Sequence, residues 1–68
     1  MTYMVFIEEA PQNYAAFVPD LPGCVATGAT IDEVTKNIRE AIGWHIEALR
    51  ADGIEVPKPR ARATLVDV

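Results

Sequence analysis

The chain has one cysteine among its 68 residues. An internal disulfide is excluded, and a reducing, cytoplasmic setting is expected. It has one histidine, and no second histidine or cysteine stands at ligand spacing from it, so neither a metal site nor a cofactor is expected. No apolar run approaches the roughly 20 residues of a membrane-spanning helix. Met1-Thr2-Tyr3 lacks the basic opening of a secretion signal. Bases are scarce: six Lys and Arg against ten Asp and Glu leave a net charge of −4, the wrong sign for indiscriminate nucleic-acid binding. Gly23 and Gly28 make no phosphate loop, because no lysine follows at the required spacing. There are no repeats and no low-complexity stretch, so residues 1–68 are read as a single domain. A domain this short buries only about 60% of its unfolded surface and is marginal alone.

What is present suffices for a core, since half the residues are apolar. Tyr3-Met4-Val5-Phe6-Ile7 reads as a strand apolar on both faces, with Tyr3, Val5 and Ile7 on one and Met4 and Phe6 on the other. Tyr14 to Val18 reads as a second strand that pairs back as a hairpin. Cys24 to Ala29 reads as a third, with Gly28 as a bulge or a point of close approach. Between the second and third strands, Pro19 and Pro22 remove two backbone donors and Gly23 can take a positive φ, so Pro19-Asp20-Leu21-Pro22-Gly23 is a rigid turn.

Thr30 with Glu33 forms a capping box, so a helix is expected from Ile31 to about Ala51, stopped by Asp52-Gly53. Steps of about 100° put Ile31, Val34, Ile38, Ile42, Ile46 and Leu49 in one stripe. Pro57 and Pro59 make residues 54–60 an extended connector, and Ala61 to Val68 can form a fourth strand. The expected fold is α+β in the order β-β-β-α-β. A right-handed crossover returns the fourth strand parallel to the first, giving a four-stranded sheet of order 3-2-1-4 with one covering helix.

Several pieces recur in family order: Tyr14-Ala15-Ala16, Pro19-Asp20-Leu21-Pro22-Gly23-Cys24, Gly28-Ala29-Thr30, Asn37-Ile38-Arg39-Glu40-Ala41-Ile42, Ile46-Glu47-Ala48-Leu49 and Asp52-Gly53 with Pro57 and Pro59. On these the chain resembles the HicB antitoxin family over nearly its whole length. The resemblance implies the same layout, a truncated ribonuclease-H-like fold. It also implies a partner, a HicA-type toxin: a small basic ribonuclease that cleaves messenger RNA. The first turn, Ala10-Pro11-Gln12-Asn13, differs from the short acidic-Gly turn of many members. Many members also continue into a helix-turn-helix or ribbon-helix-helix segment. Residues 1–68 are read as the toxin-neutralising domain alone, and no DNA binding is expected of them.

A nuclease of that fold needs carboxylates converging on two metal ions about 3.5–4 Å apart. The centre of the first strand is Met4-Val5-Phe6. Glu8 and Glu9 lie at its end, Glu40 and Glu47 on the solvated side of the helix, and Asp67 near the end of the sequence. No catalytic residues are assigned, and the chain is not expected to be an enzyme. His45, on the flank of the apolar stripe, and Cys24, without a basic neighbour, read as packing residues.

Neutralisation would be steric and electrostatic, through Glu8, Glu9 and Asp20 grouped at one end of the sheet. Asp20 has a second reading, as the cap of its own turn. Trp44 falls about 220° around the helix, away from the core stripe, among Asn37, Ala41 and Ala48. Either it marks an oligomer interface with Ala41 and Ala48, or a small rotation half-buries it at the sheet edge. Self-association as a homodimer or tetramer is expected, because one helix leaves apolar strand surface and an open sheet edge. The alternative function is a stand-alone homo-oligomeric module for a small ligand or scaffold, without a toxin. A genomic neighbour encoding a small basic protein would separate the two.

Overall fold

β-forming residues, among them Phe6, Tyr14, Phe17, Val25 and Thr27, set the first half of the chain. The computed structural model describes all of residues 1–68. It contains β1 (Phe6–Glu9), β2 (Tyr14–Phe17), β3 (Val25–Gly28) and α1 (Ile31–Ala51). Both strand pairs are antiparallel. Phe6 faces Phe17 and Glu9 faces Tyr14 across the first pair; Tyr14 faces Gly28 and Phe17 faces Val25 across the second. The first strand begins three residues later than its composition suggests.

The turn from Val18 to Cys24 closes on three backbone bonds, Val18 N to Cys24 O, Leu21 N to Val18 O and Cys24 N to Leu21 O. Gly23 takes φ 84°, which a side chain would resist. Leu21 sits in the middle of this turn and is completely buried. It completes a core of Ala16, Val18, Leu21, Cys24, Val34 and Ile38.

α1 starts where the capping box places it. The Thr30 hydroxyl accepts from the Glu33 amide at 3.0 Å, and the Glu33 carboxylate accepts from the Ala29 amide at 3.3 Å. It ends in a Schellman motif: Gly53 is left-handed at φ 70°, its amide reaches Arg50 O, and the Ile54 amide reaches Leu49 O. The helix lies chiefly over β3 and in part over β2. It can approach because residue 28 is glycine. A Cβ there would come within 2.5 Å of Val34 N and 2.8 Å of Val34 Cα. Val34 and Ile38 are buried, while Ile42 and Ile46 pack partly against the core. The 21-residue helix is about 31 Å long and the four-residue strands about 13 Å, so its C-terminal half overhangs the sheet. Ile31, expected in the core stripe, is exposed because the helix begins past the end of β3.

The expected four-stranded sheet of order 3-2-1-4 is not formed; the sheet has three strands in the order β1-β2-β3. Residues 61–68, expected as a fourth strand, form no strand of the sheet. The reason lies in the connector. The Tyr3 hydroxyl donates to the Pro57 carbonyl, and the Asp20 carboxylate accepts from both the Arg60 and Ala61 amides at 2.9 Å. These bonds draw the chain across the end of the sheet toward the β2–β3 turn instead of along the edge of β1. The segment beyond projects outward. The radius of gyration is 13.1 Å, where a compact chain of this length has about 11 Å.

Two glycines in contrasting settings test this packing. Gly28→Ala should destabilise the fold by about 1–3 kcal/mol, because the helix must move off the sheet. Gly43→Ala, where nothing lies within 4 Å of the added carbon, should stabilise by about 0.5–1 kcal/mol. Urea denaturation of both variants measures the pair, and equal effects would contradict the assigned contact.

Candidate functional site

Three surfaces carry the chemistry left after folding. The first is the end of the molecule that holds the β1–β2 turn. Glu8 and Glu9 are exposed there. Glu9 faces Tyr14, Tyr14 faces Gly28, and two residues after Gly28 comes the helix cap. The sheet register therefore brings Glu8 and Glu9 to the same end as Asp32 and Glu33 in the first helical turn. Reading single segments could not find that grouping, because it depends on strand direction. The helix N-terminus favours the last two carboxylates.

Asp20 is not part of this group. It follows β2, at the end where Phe6 faces Phe17, opposite the β1–β2 turn. Nor does its carboxylate cap its own turn. Oδ2 holds the Arg60 and Ala61 amides, and those two bonds keep its pKa below the usual carboxylate range.

The second surface is apolar and lies on the face of the sheet away from α1. Phe6 and Phe17 stack with centroids 5.5 Å apart, and Val25 continues their row on β3. Phe17 is 38% exposed and Val25 65%. On the opposite side of β1, a groove of about 400 Å³ separates Tyr3, Val5 and Ile7 from Thr35, Ile38, Arg39 and Ile42 of the helix. It exists because α1 favours β3 over β1.

The third surface is the flank of α1 beyond β3. Trp44 is 68% exposed there, so it is not a core residue. Ala48 beside it is exposed, whereas Ala41 packs partly against the core. Asn37, on the same flank, donates from Nδ2 to the Thr27 carbonyl at 2.8 Å and ties the helix to β3. Cys24 is buried, and burial pushes its thiol up. No three His, Cys, Asp or Glu side chains converge as a metal-binding group. No helix is long and apolar enough to cross a membrane.

The structure is thus a small antiparallel sheet under one helix, with exposed acidic and apolar surfaces. Residues 3–67 match the family described as "HicB_like antitoxin of bacterial toxin-antitoxin system", and the chain belongs to it. A UPF0150 protein of Synechocystis is 46% identical over 57 residues, 82% of this chain and 72% of that protein. A UPF0150 protein of Thermoplasma acidophilum is 37% identical over 67 residues, 97% of each. An uncharacterised 14.9 kDa protein of Haemophilus phage HP1 is 43% identical over 58 residues, 85% of this chain but only 44% of the phage protein. Among solved structures, a chain of the "HicA3 and HicB3 toxin-antitoxin complex" superposes with a TM-score of 0.75 at 35% identity, covering 87% of this chain and 70% of that one.

The Asp20 bonds give a pH dependence with a defined sign. A carboxylate whose folded pKa is lowered stabilises fully above its unfolded value, about 4, and loses that contribution as pH falls through the folded value. The Arg60 and Ala61 amide resonances should therefore titrate together with a midpoint below about pH 4. Asp20→Ala should shift both at neutral pH. A midpoint above the ordinary value, or no shift in the variant, would contradict the assignment.

Proposed function

We propose that this protein is a non-catalytic antitoxin module that binds and neutralises a HicA-type ribonuclease toxin. The observation that carries the reading is the match to a chain from a toxin–antitoxin complex at 35% identity, together with family membership over residues 3–67. The charge supports it. Residues 1–55 hold nine acids and three bases, a net −6, which suits a basic RNA-binding surface. Glu8 and Glu9 are the acids we assign to toxin contact. Asp32 and Glu33 share their end and extend the field; Asp20 is spent within the chain. Neutralisation then consists of covering the toxin's RNA-binding surface, with charge complementarity setting encounter and register. The module acts in the cytoplasm, where a messenger-cleaving toxin has its substrate. Trp44, with Ala41 and Ala48 alongside, is the surface we assign to oligomer contact.

Co-expression with a HicA-type toxin should yield a complex and abolish that toxin's cleavage of RNA. Glu8→Lys should weaken the complex at least tenfold while leaving the thermal midpoint unchanged. The purified protein alone should not cleave RNA in Mg²⁺ or Mn²⁺. Failure to bind the toxin, or intrinsic cleavage, would reject the reading. Trp44→Ala should weaken assembly by more than about 1 kcal/mol without loss of helix content, measured by sedimentation and circular dichroism.

A further inference from the structure

The groove beside β1 and the projecting C-terminal segment fit each other, though not within one chain. We propose that two copies of the protein exchange residues 62–68, each segment pairing antiparallel with the free edge of Tyr3–Glu9 in the other copy. This exchange involves a second copy alone and needs no toxin.

Of the two sheet edges, that of β1 is the more open. On β3 the Thr27 carbonyl is taken by Asn37, and the helix start presses against Gly28. Beside β1 the helix leaves a groove, and the adjoining residues are apolar on both faces. The segment that projects has the same character. Leu65 and Val68 are fully exposed and Val66 is 73% exposed, three large apolar side chains outside the core of their own chain. Tyr3–Glu9 and Arg62–Val68 are each seven residues, about 23 Å when extended.

Antiparallel pairing aligns chemistry along the whole length. With Arg62 opposite Glu9, Leu65 falls beside Phe6 on the outer face. Val66 and Val68 fall beside Val5 and Tyr3 and turn into the groove, because alternate residues share a face. The charges agree. Residues 56–68 carry three bases, Lys58, Arg60 and Arg62, and one acid, whereas the body that receives them is net −6. A parallel alignment would instead bring Asp67 against Glu8 and Glu9.

The chain cannot make this pairing with itself. Arg62 follows Ala61, which Asp20 holds at the Tyr3 end of the sheet, and Glu9 lies at the far end of β1, about 20 Å away. Reciprocal exchange satisfies both ends with one two-fold axis, and each sheet keeps the three strands of its own chain.

Sedimentation of the intact protein at micromolar concentration should show a dimer or a multiple of it. Val66→Asp should weaken association at least tenfold while leaving the circular dichroism of the separated chains unchanged, since Val66 lies outside the core of its own chain. Arg62→Glu should weaken it also, and Glu9→Arg in the other copy should restore it. Chains carrying Leu65→Cys, mixed with chains carrying Phe6→Cys and oxidised with diamide, should form a disulfide-linked heterodimer; Val25→Cys on β3 should not replace Phe6→Cys. A monomer at all concentrations overturns the proposal. So does a dimer indifferent to Val66→Asp, or one cross-linking equally through Val25→Cys. No toxin enters these experiments, so their failure leaves the toxin reading standing, and the converse holds.

Discussion

The Val18–Cys24 turn ties together parts of the chain that are far apart in sequence. Its three backbone bonds set the β2–β3 hairpin and hence the register that carries Gly28 beneath the helix. Leu21, within it, fills the centre of a core with only six buried apolar side chains. Asp20, the residue before, binds the chain 40 residues later and decides where the C-terminal segment leaves. A polar residue and an apolar one in adjacent positions thus act on opposite sides of the same turn. Two prolines and a left-handed glycine hold the turn rigid enough for both.

The second consequence is incomplete coverage. One helix packed on β3 cannot also cover β1, because its closest approach is set by Gly28 at the other edge of the sheet. Apolar surface is left on both sides of β1 and along the Phe6, Phe17 and Val25 row. For a chain with so small a core, such surface is expensive to leave in water and is the raw material of binding. Charge is segregated to match. Acids dominate the folded body, and the bases after residue 55 are confined to the strap and the projecting segment. A partner for the body should therefore be basic, and the chain's own C-terminal segment meets that description.

Local signals were legible in the sequence wherever a few neighbouring residues decide the outcome. The helix from Ile31 to Ala51, its Thr30–Glu33 box and its Gly53 stop depend on contacts within one turn of helix, and they stand as read. Gly28 as a point of close approach, Cys24 as a buried side chain and Trp44 as a residue outside the core also follow from local periodicity and residue size. The exposure of Ile31 does not, because the helical stripe contains no information about where the sheet beneath it ends.

The long-range arrangement was decided only by the tertiary structure. The sequence made Ala61–Val68 a reasonable strand, since its β-forming residues follow two prolines after a helix. The three hydrogen bonds from Tyr3 and Asp20 to residues 57, 60 and 61 redirect it away from β1, and none has a local signature. The same is true of the acids. Glu8, Glu9 and Asp20 look alike in sequence, yet strand direction sends Asp20 to the opposite end and brings Asp32 and Glu33 to the first two. Helix caps and turns are set by interactions a few residues apart, so composition suffices to read them. Which edge stays open, and which charges meet, depends on how separate elements are oriented in space.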